Sequence, residues 1–198
     1  LYRLHDGLIP AADVLTSRLA AVQKHPQIAI YTGAQVKEVQ GFIGNFQVKL
    51  DSGQQFEVGT IIVATGAQPW QPIGRYGYDG KRVITQWELE GKLRERPLGA
   101  SSVVMIQCVG AREEGRLYCS KVCCSTAIKN ALLIKEAAPA SQVYILFRDI
   151  QTYGAGFEDE YARARNQGIV FIPYDPYRPP WVQEDRGAPR SPSIRTAA

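Results

Sequence analysis

All four cysteines of this 198-residue chain fall in one short stretch, QCVGAREEGRLYCSKVCCSTAIKN. The apolar segment SSVVMIQCVG at its start is typical of a β-strand, and residues 119–137 are predicted to form a helix. Cys108 then ends the strand, while Cys119, Cys123 and Cys124 occupy the first turns of the helix. Residues four apart share a helix face, and the next residue lies about 100° further round. We therefore expect all four thiols to converge at one end of a sheet.

The strand and helix that carry the cysteines belong to a longer alternation. QVYILFRDI is predicted to be a second apolar strand, residues 158–166 a further helix, and GIVFIPY a further strand. Strands that alternate with helices form a parallel sheet covered by those helices. We therefore expect a βαβ domain, similar to a nucleotide-binding domain, over residues 99–175.

The first 98 residues follow a different pattern. Apolar residues recur at helical spacing over 11–25 and stop at His25-Pro26, which predicts one helix. Short strands of an antiparallel meander are predicted next, at 28–31, around Val36 and Val39, at 46–50 and at 56–58. The run TIIVATGAQP has the unbroken apolar stretch of a strand buried on both faces of a parallel sheet. The fold class expected is therefore α/β: an antiparallel meander and part of a parallel sheet in the first 98 residues, and a separate βαβ domain after them.

The chain ends in a segment of different composition. Residues 176–198, PYRPPWVQEDRGAPRSPSIRTAA, are rich in proline and poor in apolar residues, which predicts an irregular tail. The opening LYRLHDG has no methionine at position 1, so we expect the chain to be a piece of a longer protein. The predicted organisation is three parts: 1–98, 99–175 and the tail.

Charge and hydropathy disfavour two classes of partner. The formal net charge is +4, without a run of basic residues that would indicate nucleic-acid binding. The longest apolar run, VYILF, is too short to span a membrane, and the N-terminus does not resemble a secretory signal. We therefore expect a cytoplasmic protein that binds neither nucleic acid nor a membrane.

Several explanations compete for the cysteines. Cys124 belongs to an apolar helical stripe and could be a core residue, but that explanation suits one cysteine better than four. Disulfides are disfavoured because a cytoplasmic protein keeps its thiols reduced. Zinc usually takes its ligands from pairs spaced two to four residues apart, which the adjacent Cys123 and Cys124 match poorly. Zinc nevertheless stays an alternative.

An iron-sulfur cluster suits the spacing better than zinc does. A cubane cluster offers ligand positions far enough apart for one cysteine at a strand end and three on a helix start. The helix N-terminus supplies partial positive charge, and Arg112, Arg116 and Lys121 supply full charges that favour an anionic cluster. The stretch has Gly110 and Gly115 but not GxGxxG, so cysteines stand where a dinucleotide-binding turn would be.

The sequence CVGAREEGRLYCSKVCCSTAIKNALLIKE, followed by ILFRDIQTYGAGFEDEYARAR, resembles the A subunits of heterodisulfide reductases. The resemblance continues in IYTGAQVKEVQGFIGNFQVKL, TIIVATGAQPWQP and YGYDGKRVITQWELE, and spans roughly residues 8–173. That family has a body similar to thioredoxin reductase, in which a second nucleotide-binding-like domain splits an FAD domain. The resemblance predicts portions of both domains in this chain.

The resemblance also implies roles for particular residues. Cys108, Cys119, Cys123 and Cys124 match the four ligands of a 4Fe-4S cluster in the second domain. Ala64, Thr65 and Gly66 match a strand-end segment beside the flavin, so FAD is an expected cofactor of the intact family member. The family's GxGxxG segment and its further ferredoxin-type cysteine sets are absent from these 198 residues, which makes FAD retention by the chain itself doubtful.

The function predicted first is electron transfer. As an oxidoreductase component, the chain would relay electrons between flavin and iron-sulfur clusters, with other redox subunits of a heterodisulfide reductase-like complex as partners. Two alternatives stay open: a dithiol/disulfide oxidoreductase that uses Cys119 with Cys123 or the adjacent pair, and a structural zinc protein.

Overall fold

The computed structural model describes residues 2–95, 97–183 and 193–195. It contains four α-helices in these ranges, α1 (Ala11–Lys24), α2 (Gln86–Glu95), α3 (Cys123–Ala137) and α4 (Phe157–Asn166). The described strands are β1 (Val36–Phe42), β2 (Asn45–Leu50), β3 (Gln55–Val58), β4 (Ser102–Ile106), β5 (Gln142–Phe147), β6 (Val170–Pro173), β7 (Trp181–Gln183) and β8 (Ser193–Arg195). One compact unit comprises residues 15–68, and a second comprises residues 1–14 with 69–198. Among the helices described, none has the length and apolar content needed to cross a membrane.

The unit of residues 15–68 is built on the predicted antiparallel meander. β1 pairs with β2 from Val36–Leu50 to Phe42–Asn45, and β2 pairs with β3. Gly41 has a φ of 93°, and a Cβ added there would lie 2.1 Å from the Asn45 carbonyl oxygen. A side chain at this position would therefore break the hairpin that starts the sheet.

The second unit contains the predicted parallel sheet. Its strand order is β4-β5-β6, and both strand pairs are parallel. α3 connects β4 to β5 and α4 connects β5 to β6, so the segment is a βαβαβ unit. The expected α/β fold class is confirmed: the described chain has an antiparallel three-stranded sheet and a parallel three-stranded sheet.

The core of this unit forms along one face of α3. The apolar stripe read from the sequence is buried as expected: Cys124, Ala127, Ile128, Ala131 and Leu132 are each no more than 3% exposed. The four residues of this stripe after Cys124 join one cluster with Met105 of β4 and with Val143 and Ile145 of β5. α3 also packs against α2 and α4, so the helix that begins with two cysteines is the central element of the unit.

A buried polar network fastens the N-terminal segment to this core. Lys129 of α3 is completely buried, and its Nζ pairs with the carboxylate of Glu90 in α2 and donates a hydrogen bond to the Arg3 carbonyl oxygen at 3.1 Å. Glu90 also accepts a hydrogen bond from the backbone N–H of Tyr2 at 3.3 Å. Burial lowers the pKa of Lys129 to about 8, and the charge of Glu160 partly offsets that effect.

Two of the expected strands do not form. Residues 28–31 and 60–69 lie outside both three-stranded sheets of the described chain, and Ile62 and Val63 are 87% and 80% exposed. An apolar run becomes a buried strand only where neighbouring strands satisfy its backbone groups. Neither segment pairs with a strand of either sheet, so the prediction of strands there is wrong for this structure.

Two further expectations concern the end of the chain and its division. β7 and β8 form a small antiparallel pair from Trp181–Arg195 to Gln183–Ser193, so part of the segment predicted to be irregular is ordered. Residues 184–192 and 196–198 of that segment lie outside the described residues. The domain boundaries placed at residues 98 and 175 stay a prediction.

The buried Lys129–Glu90 pair is tested by removing its cation. We expect Lys129→Met to lower the free energy of unfolding by about 3 to 5 kcal/mol, because it leaves the Glu90 carboxylate buried without a countercharge. The double variant Glu90→Leu/Lys129→Met should recover much of the loss. Urea denaturation measures both effects, with the exposed Lys37→Met as the control. If Lys129→Met unfolds at the same urea concentration as the wild type, the pair does not stabilise the core.

Candidate functional site

The cysteines lie where β4 ends and α3 begins, and one buried glutamine joins these two elements. The side-chain amide of Gln107 donates to the Cys123 carbonyl oxygen at 2.8 Å. Its backbone N–H donates to the Leu146 carbonyl oxygen in β5, and its carbonyl oxygen accepts from the Tyr174 hydroxyl at 2.7 Å. Gln107 therefore holds the helix start against the carboxyl end of the parallel sheet, between the predicted ligands Cys108 and Cys123.

Cys119 does not lie on the helix, contrary to the prediction. α3 begins at Cys123, and residues 119–122 precede it as a bend. Lys121 has a φ of 61°, a left-handed conformation that is incompatible with continuing the helix toward the N-terminus. The turn brings the backbone N–H of Lys121 to 3.3 Å from Cys119 Sγ. Cys119 therefore approaches the site from a loop, and it shares no helix face with Cys123.

The thiols of the site interact with one another. Cys123 receives a hydrogen bond from the Cys124 thiol, which lowers the pKa of Cys123 more than burial raises it; Ser120 and the backbone N–H of Cys108 add to this lowering. The same hydrogen bond, together with burial, raises the pKa of Cys124. Burial also raises the pKa of Cys108, and the charges of Cys123 and Cys119 contribute to that rise. Cys108, Cys123 and Cys124 are thus close enough to influence each other's ionisation.

The loop that carries the cysteines adopts an unusual backbone. Cys108, Arg112 and Lys121 have φ values of 63°, 58° and 61°, which non-glycine residues rarely adopt. Gly110 and Gly115 in the same loop also have positive φ. Backbone hydrogen bonds within the loop hold these conformations, among them Ala111 N–H to the Cys108 carbonyl and Arg112 N–H to the Tyr118 carbonyl. Strained residues persist where surrounding structure enforces them, and they concentrate at functional sites.

Basic side chains surround this loop. Arg112 pairs with the Asp149 carboxylate, and Arg148 donates to the Arg112 carbonyl oxygen at 2.6 Å. The charges of both arginines oppose the rise in the pKa of Cys108. Arg75 holds Glu113 in an ion pair with 2.7 Å between Nη1 and Oε2, which offsets a carboxylate of the loop. These positive charges favour the thiolate form of Cys108 against the effect of burial, and they suit an anionic group bound to the thiols.

The donor set fits a thiolate-bound cluster, although its side chains are not arranged around a metal position. In the described part of the chain, no three or more histidine, cysteine, aspartate or glutamate side chains form a group that could hold a metal ion. Four thiolates repel each other, and binding of the metal is what draws such ligands into their final geometry. Three features of the segment 108–124 nevertheless suit a cluster. It contains four soft thiol donors, backbone N–H groups are directed at Cys119 and Cys123, and arginines lie nearby.

The predicted flavin segment lies in the other compact unit. Ala64, Thr65 and Gly66 have no regular secondary structure, and Gly66 has a φ of 71°. They follow the exposed Ile62 and Val63, so they do not stand at the end of a strand as expected. The structure does not place these three residues together with the cysteines in one unit.

Comparison with known proteins gives a consistent result. No protein-family model matches the chain. The chain is 28% identical to the iron-sulfur A subunit of the CoB–CoM heterodisulfide reductase of Methanocaldococcus jannaschii, over 88% of this chain and 41% of that protein. It is 39% identical to the A subunit of the ferredoxin/F420H2-dependent CoB–CoM heterodisulfide reductase of Methanosarcina acetivorans, over 60% of this chain and 17% of that protein. Over most of its length, the chain is thus similar to heterodisulfide reductase A subunits.

The A subunit of the H2:CoB–CoM heterodisulfide, ferredoxin reductase of Methanothermobacter marburgensis is similar in the same way, at 29% identity over 84% of this chain. The predicted resemblance to the heterodisulfide reductase A subunits is therefore confirmed. The chain spans about two fifths of the length of the M. jannaschii and M. marburgensis proteins. The alignment with the M. jannaschii protein covers 272 residues, more than the 198 of this chain. The M. jannaschii protein therefore has residues inside the aligned region that this chain lacks.

Gln107 is a site residue that sequence reasoning missed. In the sequence it lies within the predicted apolar strand SSVVMIQCVG, and its amide side chain is not a nucleophile or an expected metal ligand that would mark it as functional. Its polar side chain next to a predicted ligand was the available signal, because a buried amide needs a specific partner. The partner, the Cys123 carbonyl, becomes visible only in the folded chain.

The strained backbone at Lys121 gives a direct test of the loop geometry. We expect Lys121→Gly to be more stable than Lys121→Ala by about 1 kcal/mol, because glycine adopts a left-handed φ without steric cost. The same pair at Lys92, inside α2, should show the opposite order. Urea denaturation of the reduced, metal-free protein measures all four variants. An alanine variant that is the more stable at both positions would show that Lys121 is not held in this conformation.

Proposed function

We propose that this chain binds one 4Fe-4S cluster through Cys108, Cys119, Cys123 and Cys124 and serves as an electron-transfer part of a heterodisulfide reductase-like complex. The observation that carries the proposal is that the four cysteines lie around the junction of β4 and α3, where Gln107 joins the strand end to the helix start. The M. jannaschii relative is named as the iron-sulfur component of its enzyme, which supports the class of cofactor. The cluster type and its four ligands are the finer part of the proposal.

A bound cluster supplies one-electron redox chemistry. The residues of the chain set its surroundings. Gln107 fixes the distance between the strand end and the helix start, and N–H groups such as that of Lys121 stabilise negative charge on the sulfur ligands. Buried Ala127 and Ile128 keep water from the helix side, while Arg112 and Arg148 lie beside Cys108.

We propose electron relay and not substrate activation, since four cysteines can occupy every iron of a cubane. A cluster that activates a substrate generally needs one iron without a protein ligand. The partners proposed are other redox subunits of the complex. Exposed Leu117, Tyr118 and Val122 lie in the cysteine loop, which is the segment 107–122 between β4 and α3. Arg116 and Lys121 of the same loop add positive charge on which an acidic redox protein could dock.

The flavin role of Ala64, Thr65 and Gly66 is part of the same proposal. These residues match the family's segment beside FAD, and here they form an exposed connection ahead of the cysteine-bearing unit. A connection of this kind can contact a flavin but supplies few phosphate ligands, which usually come from a glycine-rich turn at a helix N-terminus.

One observation favours a second function, dithiol chemistry. Cys123 and Cys124 are adjacent and hydrogen-bonded, and the lowered pKa of Cys123 keeps it as a thiolate, the form that attacks disulfides. The two functions differ in a simple assay. If a small disulfide added to the reduced, reconstituted protein produces a stoichiometric change in its EPR spectrum without an acceptor protein, dithiol chemistry is favoured over relay.

The four-ligand assignment is tested at Cys108, the ligand from the strand end. After anaerobic reconstitution, the wild type should contain about four iron and four sulfide per chain, as a cubane requires. Cys108→Ser should lose most of the iron and the charge-transfer absorbance, because serine is a poor ligand for this cluster. Ser102→Ala, at the exposed start of β4, is the control and should keep both. Full iron and an unchanged spectrum in Cys108→Ser would contradict the assignment.

We expect this 198-residue chain to retain little FAD, because it lacks the glycine-rich pyrophosphate turn. The measurement is the flavin absorbance that remains with the protein after incubation with FAD and gel filtration. Stoichiometric flavin in the wild type, lost in Thr65→Ala but kept in Thr60→Ala, would show instead that the segment at 64–66 binds FAD by itself.

A further inference from the structure

The indole of Trp70 lies against the backbone of the cysteine loop. A Cβ added to Gly110, two residues after Cys108, would stand 2.4 Å from Trp70 Cε3 and 2.6 Å from Cδ2. Gly110 also has a φ of 74°, so both its conformation and its neighbour require glycine. An aromatic face therefore covers the part of the loop between Cys108 and Cys119.

Arg75 links this ring to a second point of the same loop. Its guanidinium carbon lies 5.4 Å from the centroid of the Trp70 ring. Its Nη1 donates to both carboxylate oxygens of Glu113, at 2.8 and 2.7 Å. Glu113 in turn forms a tight backbone pair with Arg116, at 3.1 and 2.9 Å. One tryptophan and one arginine thus hold the loop at Gly110 and at Glu113.

We infer that Trp70 and Arg75 are positioning residues that clamp the cysteine loop closed over the cluster site. This inference rests on the proposed function and goes beyond it, because nothing in the four-cysteine motif points to a residue 38 positions upstream of Cys108. Trp70 is 37% exposed and contributes to none of the buried core, so its packing on the loop is its main structural contribution. The clamp limits how far Cys108 and Cys119 can separate and covers the loop backbone at Gly110.

The clamp predicts a change in the rate at which iron leaves the protein. Residues that hold metal ligands in place typically affect metal affinity by about 10- to 100-fold. We expect Trp70→Ala to release iron to a strong chelator about 10- to 100-fold faster than the wild type, and Trp70→Phe to stay close to it. Arg75→Gln should accelerate release less, because the ring remains. Trp87→Ala, at a 60% exposed tryptophan of α2, is the matched control and should have no effect.

A second arm tests the clamp without iron. In the reduced, metal-free chain, Cys108 is 6% exposed. Trp70→Ala should open the loop and raise the rate at which iodoacetamide alkylates Cys108 about tenfold, the lower end of the effect expected for a positioning residue. Trp87→Ala should leave this rate unchanged. Mass spectrometry of the peptide that contains Cys108 measures this rate. Urea denaturation of each variant shows whether the change is local or a loss of the whole fold.

The two arms separate the inference from the proposed function. If the wild type takes up no iron but Cys108 becomes reactive in Trp70→Ala, the clamp stands and the cluster proposal fails. If the wild type holds its cluster and Trp70→Ala releases iron and alkylates Cys108 at wild-type rates, the clamp is wrong. Equal acceleration in Trp70→Ala and Trp87→Ala would also overturn it, since the effect would then be general destabilisation.

Discussion

The hydrogen bond from the Gln107 side chain to the Cys123 carbonyl is the interaction on which the site depends. It joins the end of β4 to the start of α3 at 2.8 Å. The backbone of Gln107 also accepts a hydrogen bond from the Tyr174 hydroxyl and donates one to the Leu146 carbonyl of β5. A buried amide that lost these partners would cost about 1 to 3 kcal/mol. The bond therefore fixes both the sheet and the helix at the point where the thiols meet.

Much of this arrangement was predictable from the sequence, because the elements around the site are strongly patterned. The stripe on α3 from Cys124 to Leu132 is periodic and becomes the core, and apolar runs at β4, β5 and β6 alternate with helices as a parallel sheet requires. The cysteine spacing indicated a site at the strand-to-helix junction. Local pattern and tertiary packing agree in this part of the chain.

The rest depends on long-range contacts that no local pattern encodes. The spacing of four between Cys119 and Cys123 suggested that both lie on one helix. The left-handed φ of Lys121 instead prevents α3 from extending back from Cys123 to Cys119. The run TIIVATG has the composition of a buried strand, yet strand formation needs a partner, and this run pairs with neither three-stranded sheet. The contact of Trp70 with Gly110 joins residues 40 positions apart, and sequence marks Trp70 only as one aromatic among several.

The central claim is that these cysteines hold an iron-sulfur cluster. The most direct measurement is elemental analysis of the chain purified under strict anaerobic conditions, without reconstitution, for iron, acid-labile sulfide and zinc. The account predicts a brown protein with iron and sulfide in equal amounts, approaching about four of each per chain, and little zinc. A colourless protein with about one zinc and no sulfide per chain would contradict it, and would make the β4–α3 junction a structural zinc site.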